Sequence, residues 1–256
     1  MEFEKAGIPG LDEILKGGLR KNSSFLVKGA SGTGKTIFAL QFIVEGAKNG
    51  QPGVFITAEE ELDDLREYAK SLNMNLETYE KKKLIYLIKH PVTLRKLISI
   101  AAPLELISKG KIKRVVLDSL TLFKYGTDDK TAYRKEILDL IGNMRNVLFL
   151  ATIEEKKEGK IDNLESDAED YLFDGIIRMI KVRKGNNFER CLFVSKMRGQ
   201  NHSLDIFPLT ITEKGIVVHP KEIPFSLLES DKKWMNLATV LISLYRSNVV
   251  KLSKNR

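Results

Sequence analysis

Gly29-Ala-Ser-Gly-Thr-Gly-Lys-Thr36 follows the apolar run Phe25-Leu-Val-Lys-Gly29 and leads into a helical period from about Lys35 to Asn49. Strand, glycine-bearing loop and helix in that order match the spacing G-x-x-x-x-G-K-[ST] of a phosphate-binding loop. Each position has a physical task. The glycines let the chain double back so that successive amide N–H groups converge on a polyphosphate, and the helix aims its positive end at the same anion. Lys35 puts a mobile charge between the β- and γ-phosphates, and Thr36 offers a hydroxyl to Mg²⁺, a cation that takes oxygen ligands. Gly29, Ala30, Ser31, Gly32, Thr33, Gly34, Lys35 and Thr36 are therefore expected to bind a nucleoside triphosphate with Mg²⁺. The Asn-Lys-x-Asp signature of guanine recognition is absent from the sequence, which favours ATP.

Outward from the loop, short apolar runs alternate with segments of helical period, the pattern of a parallel sheet covered by helices. Gly50 and Gln51-Pro-Gly53 end the first helix, and Val54-Phe-Ile-Thr57 is the next expected strand. Leu62, Leu65, Tyr68, Ala69 and Leu72 mark one face of a helix. A short strand is expected at Leu84–Ile88, a helix at Val92–Lys109 broken at Pro103, and buried strands at Arg114–Asp118 and Val147–Thr152 around a helix Tyr133–Arg145. Glu154–Asn163 reads as a charged, exposed loop. The period then changes: Gly175–Val182 and Phe188–Met197 flank a hairpin turn at Lys184-Gly-Asn-Asn187, with shorter strands at Ile206–Ile211 and Ile216–Val218. The expected fold is α/β, with a mostly parallel central sheet and an antiparallel edge toward the C-terminus, in one domain over 1–222 and a helical tail over 223–256.

Two sets of carboxylates stand at the carboxyl ends of these strands, where ligands of parallel sheets gather. Asp118 closes its strand and is expected to bind a water of the Mg²⁺ shell, beside Thr36. Glu59 and Glu60 follow the strand that ends at Thr57, taken as the neighbour of the phosphate-loop strand. Residue pattern leaves them open between facing a γ-phosphate and serving as acids in the first turn of a helix, since Glu61, Asp63 and Asp64 continue the run.

The 256 residues, 43% of them hydrophobic, suffice for one large core, and no run of about 20 apolar residues offers a membrane span. A lone cysteine, Cys191, makes no internal disulfide, and the acidic start Met1-Glu-Phe-Glu is no signal peptide, so a cytoplasmic protein is expected. The net charge of +8 permits nucleic-acid contact, but lysines and glutamates are interspersed as on a mixed solvated surface. Cys191 alternates with Phe193 and reads as a core thiol, and His90 and His219 as turn residues. Trp234–Tyr245 is an amphipathic pattern with a basic end, suited to docking on the domain, a protein partner or a membrane surface.

Gly7-Ile-Pro-Gly-Leu-Asp12, Gly17-Gly-Leu19, the phosphate loop, Thr57-Ala-Glu-Glu60, Leu117-Asp-Ser-Leu-Thr121 and Lys196-Met-Arg-Gly199 occur in the order typical of KaiC-like ATPases. From about Gly7 to Pro220 the chain resembles that family, a branch of the RecA superfamily. The resemblance implies a RecA-like fold, ATP hydrolysis with Glu59 activating water and Glu60 assisting near the metal, and a hexamer-like ring of identical subunits. It further implies that Lys196 and Arg198 enter the neighbouring subunit's site, and that His202 lies near the nucleotide. Alternating residues of a strand share a face, so both cations can point at one γ-phosphate. In the phosphorylating domain of KaiC a Ser-Thr pair accepts phosphate where this chain has Asp170 and Tyr171. Autophosphorylation is therefore not expected, with Ser166 as the alternative acceptor. Two other readings stand beside an ATPase that switches partner binding. One is a DNA-binding recombinase paralog using the Glu154–Asn163 loop, whose four acids exceed its three bases. The other is a nucleotide-sensing assembly factor with little turnover.

Overall fold

A computed structural model describes residues 2–90, 105, 107, 111–126, 129–155, 167–184 and 186–225. The helix expected at Val92–Lys109 (apart from Glu105 and Ile107), residues 156–163 of the charged loop, Ser166 and the Trp234–Tyr245 tail lie outside them.

A two-stranded sheet, β1 (Phe3–Glu4) with β2 (Leu19–Arg20), encloses the short helix α1 (Leu11–Ile14). The phosphate-loop strand β3 (Ser24–Gly29) then feeds α2 (Lys35–Lys48). Next come β4 (Gly53–Thr57), α3 (Leu62–Ser71), α4 (Leu76–Lys81), β5 (Ile85–Lys89) and β6 (Arg114–Asp118). After them follow α5 (Thr121–Gly126), α6 (Lys130–Asn143), β7 (Leu148–Glu154), a 3-10 turn at Ala168–Tyr171, and β8 (Gly175–Lys184). The chain's described part closes with β9 (Asn187–Met197), β10 (Phe207–Thr212) and β11 (Gly215–Val218). α5 and the β1–β2 pair were not expected from the sequence; they are too short to carry a period.

One nine-stranded sheet has the order β11-β10-β9-β8-β3-β7-β6-β4-β5. The six strands from β8 to β5 run parallel, and β9, β10 and β11 are antiparallel. The parallel centre and antiparallel edge agree with the sequence. One placement does not: β4 is not beside β3, because β7 and β6 lie between them. The reason is burial. β6 is buried at every position and β7 at all but its last, so both need cover on two faces, whereas β5, half-exposed along most of its length, takes the edge.

Alternate residues of β3 divide the core. Phe25 and Val27 join Phe38 and Phe42 of α2 in one layer, and Leu26 joins Ile137 of α6, Phe149 and Phe173 in the other. α2 is held at its C-terminal end and at its middle. Gly50, at φ +70°, ends it, with the Gln51 N–H returning to Gly46 O at 2.9 Å. Gln41 exchanges two hydrogen bonds with the Ile216 backbone, and buried Arg114 donates to Phe42 O at 2.9 Å and to Lys5 O at 3.0 Å. α6 begins at Asp129, whose side chain accepts the Thr131 N–H at 2.8 Å. In α3, Leu65, Ala69 and Leu72 are buried as expected, but Tyr68 is exposed and turns away from the core. Among the described residues no helix is long and apolar enough to cross a membrane.

Candidate nucleotide site

β3 ends at Gly29 against the partner strand β8, where a Cβ on Gly29 would lie 2.4 Å from Met179 O. Gly32 and Gly34 adopt φ of +70° and +109°, the left-handed region open to glycine, and turn the loop into the first residue of α2. Half-buried Lys35 folds back so that Nζ donates to Gly29 O at 2.9 Å and Ala30 O at 3.0 Å, holding the ammonium at the loop's centre. Burial lowers its pKa, while Glu154, Asp118 and Glu59 favour the charged form.

Asp118, at the carboxyl end of β6, is buried and accepts a hydrogen bond from the Thr152 hydroxyl, with the Thr36 hydroxyl near enough to favour its charged form. Burial pushes its carboxyl upward in pKa against both hydroxyls and the Lys35 charge. The Thr36–Asp118 contact joins a hydroxyl and a carboxylate, both hard oxygen donors, beside the phosphate loop. Among the described residues no cluster of three or more His, Cys, Asp or Glu side chains could hold a metal by protein ligands alone. This donor set fits Mg²⁺, which keeps several waters and shares its remaining ligands with substrate phosphates.

Glu59 and Glu60 lie past the end of β4, two strands beyond β7. The Asp118–Ser119 peptide is cis. Ser119 closes the gap, its Oγ donating to Glu59 Oε1 at 2.6 Å and accepting the Thr121 N–H at 3.2 Å. The Glu60 N–H donates to Thr57 Oγ1 at 3.0 Å, and Lys89 Nζ donates to the carbonyls of Glu59 and Glu60 at 3.0 and 2.8 Å. That bracing keeps the exposed Glu59 carboxylate in the cleft. Glu60 is raised in pKa by its burial, then by Asp118, Glu59 and Asp64. These groups line one cleft of about 570 Å³ together with Ser31, Gly32, Gly34, Tyr68, Thr121 and Glu154. A volume of that size suits a nucleotide.

Of the residues expected at the site, Ser31, Gly32, Gly34, Lys35, Thr36, Glu59, Glu60 and Asp118 line the cleft, and Gly29, Ala30 and Thr33 do not. The sequence reading missed Ser119, Thr121, Glu154 and Tyr68. Ser119 and Thr121 stand inside the Leu117-Asp-Ser-Leu-Thr121 stretch, and Tyr68 is marked by the sequence only as part of one helix face.

Lys196 and Arg198 do not line this cleft. β9 runs antiparallel, so Lys196 pairs with Ile176 and Met197 with Gly175, back toward the amino ends of the parallel strands. Lys196 Nζ donates to Asp170 O at 2.8 Å and Phe173 O at 2.7 Å, and Arg198 reaches Tyr171 O at 3.4 Å and the Asp174 carboxylate at 3.8 Å. Both side chains thus lie over the same short segment, although Arg198 stands in the turn after β9 and not on the strand face expected from the sequence. His202 is also outside this cleft, next to Gln200, whose amide donates to Leu15 O and Gly18 O. His90 is buried with its ring edge-on to Phe123 at 5.2 Å, so it is a packed residue rather than an open turn. His219 follows β11 and contacts Thr210 Oγ1 at 3.0 Å through Nε2. Cys191 is a buried thiol.

The sequence pattern of the KaiC ATPase family matches residues 4–223. A UPF0273 protein of Methanopyrus kandleri is 31% identical over 242 residues, covering 87% of this chain and 94% of that protein. The circadian clock oscillator protein KaiC of Parathermosynechococcus lividus is 32% identical over 230 residues, covering 85% of this chain but 42% of the clock protein. A KaiC-like protein of the hyperthermophilic archaeon Pyrococcus horikoshii, known by crystal structure, superimposes with a TM-score of 0.74 at 31% identity, over 86% of this chain and 99% of the other. With the family pattern spanning nearly all the described residues and the phosphate loop, Asp118 and Glu59 gathered on one cleft, this chain belongs to the KaiC ATPase family, with its RecA-like α/β fold.

Proposed function

We propose that the protein binds ATP with Mg²⁺ in this cleft and hydrolyses it between identical subunits of a ring, using the nucleotide cycle to switch assembly or partner binding. The observation that carries the reading is the convergence of Lys35, the Thr36–Asp118 pair and the Ser119-braced Glu59 carboxylate on one cleft. The loop amides and Lys35 hold the β- and γ-phosphates. Thr36 and Asp118 would hold Mg²⁺, which would supply positive charge to the phosphates. Glu59 orients a water for in-line attack on the γ-phosphorus and takes its proton as the bond to the β-phosphate oxygen breaks. Glu60, raised in pKa by its burial and then by Asp118, Glu59 and Asp64, would assist near the metal.

Lys196 and Arg198 stabilise the γ-phosphate of the neighbouring subunit. Their direction supports this: they point away from their own phosphate loop, at the other end of the parallel strands. A cation supplied only across an interface makes turnover depend on assembly.

Mixing tests both halves. Lys35→Ala and Lys196→Ala subunits, each nearly inactive alone, should regain phosphate release when mixed. About a quarter of randomly assembled interfaces pair an intact loop with an intact Lys196 from its neighbour. No recovery from rings of confirmed mass would refute action across the interface. Full activity of Lys35→Ala alone would refute the site.

A further inference from the structure

Among the described residues a buried ionic network lies directly behind the cleft and is not used by the chemistry above. Lys28, the residue before Gly29 and 1% exposed, donates to Asp170 Oδ1 at 2.7 Å and Asp167 Oδ2 at 3.0 Å, with Glu155 at 4.0 Å. Arg178 of β8, also buried, donates to Asp170 Oδ2 at 2.9 Å and to Glu155 Oε1. Lys124 of α5 ties in Glu169 at 2.8 Å and Asp167 at 3.1 Å. Burying this many charges is a poor way to gain stability; well-packed apolar residues do as well or better. The arrangement calls for another reason, and its two ends suggest one.

One end is the subunit's own phosphate loop. Lys28 and Glu155 adjoin Gly29 and Glu154 in the chain, and the Glu155 N–H donates to Gly29 O at 3.2 Å. The other end is Lys196. Its ammonium has three N–H donors, and two are spent on the carbonyls of Asp170 and Phe173. The third has no hydrogen-bond partner among the described residues. Those carbonyls belong to a four-residue 3-10 turn and its exit, too short to hold a shape unaided. Its rigidity comes from Asp170: the carboxylate accepts from Lys28, from Arg178 and from the Asp167 N–H at 3.2 Å.

We propose that Asp170 is a positioning residue for Lys196, fixing through the buried Lys28–Arg178 network where the ammonium stands when it meets the neighbour's γ-phosphate. This rests on the reading that Lys196 acts across the interface. The carboxylate and the ammonium also feel each other directly: burial and Arg198 lower the Lys196 pKa, while Asp174 and Asp170 favour its charged form. Because Lys28 and Glu155 flank the phosphate loop, the same network joins the site a subunit owns to the cation it lends.

The test is Asp170→Asn in the full chain, measured for hydrolysis, nucleotide affinity, melting temperature and ring mass. A misplacement near 1 Å can cost about 100-fold in rate. We expect a fall of ten-fold or more in kcat, with KM for ATP and ring mass kept. Two readouts separate positioning from damage. Asp170→Asn combined with Lys196→Ala should be no slower than Lys196→Ala alone. Asp170→Asn subunits mixed with Lys35→Ala subunits should recover activity, since the first keep an intact cleft and the second an intact Lys196. A rate within two-fold of the parent, multiplying losses in the double variant, or no recovery on mixing would each overturn the proposal. If Lys196→Ala itself hydrolyses at the parent rate, the interface reading falls first, and this proposal with it. Should Asp170→Asn lose its melting transition, Asp170→Glu, which keeps the charge and lengthens the side chain, is taken through the same cycle.

Discussion

Replacing Glu59 with glutamine separates catalysis from binding and folding more cleanly than any other change in the cleft. A general base positioned in the transition state contributes about 10²- to 10⁴-fold, or about 3–5 kcal/mol at 1.36 kcal/mol per decade. Stability should hardly notice. Glu59 is exposed, and its one described side-chain hydrogen bond, from Ser119 Oγ at 2.6 Å, can be accepted equally by a glutamine oxygen. The difference between a charged and a neutral acceptor is about 1 kcal/mol, or about 2–4 °C in melting temperature for a chain of this size. It is offset because the change removes a negative charge that bears on Glu60 and Asp118. Affinity for the polyphosphate should hold or improve for the same reason. The assay is phosphate release under single-turnover conditions, with Kd for ATP–Mg²⁺ and a thermal melt on the same samples. A rate within about three-fold of the parent refutes Glu59 as the base. A rate loss matched by an equal loss of affinity also does so, because it would place Glu59 in binding.

Asp118→Asn should act in opposite directions on the two states of the protein. Burial raises the Asp118 pKa, so its ionisation opposes folding at pH above the ordinary carboxyl value. The asparagine variant without nucleotide should therefore melt no lower than the parent at pH 7, with any advantage shrinking as pH falls. ATP–Mg²⁺ at 100 times Kd stabilises the parent by about 2.7 kcal/mol, roughly 5–10 °C; the variant should lose the Mg²⁺-dependent part, and keeping it would remove Asp118 from the metal site. The Cys191 thiol is pushed up to about 12 by burial and then by Glu189, so it stays protonated at pH 8. Labelling by a maleimide should be slow in the folded protein and fast in denaturant; rapid labelling of the native form would contradict its burial.

Much of this architecture was legible before any coordinates. The phosphate loop is local: eight consecutive residues carry its turn, its charge and its hydroxyl, and strand before and helix after could be read from short-range periodicity. Asp118 was legible because a carboxylate closing a strand with the apolar run Val115-Val-Leu117 has few other reasons to be there. The antiparallel edge followed from the hairpin at Lys184–Asn187, again a local signal.

What needed the tertiary structure was everything set by strand order and long-range pairing. Residues 59 and 119 are far apart in the chain, and no pattern predicts that Ser119 braces Glu59; the parallel pairing of β4 with β6 brings them together. Strand order also corrected the expected adjacency of β3 and β4, since total burial of β6 and β7 is a property of the assembled layers. Tyr68 has the spacing of a core residue, but the cleft lies where its helix face would have met the core. Lys28 sat unnoticed in a buried strand because its partners, Asp167 and Asp170, lie about 140 positions away. Sequence alone therefore determined that the chain carries a nucleotide loop on a parallel sheet. Only the packed sheet decided which carboxylates share its cleft and which cations point elsewhere, because side-chain proximity across strands depends on burial and register, which no local stretch encodes.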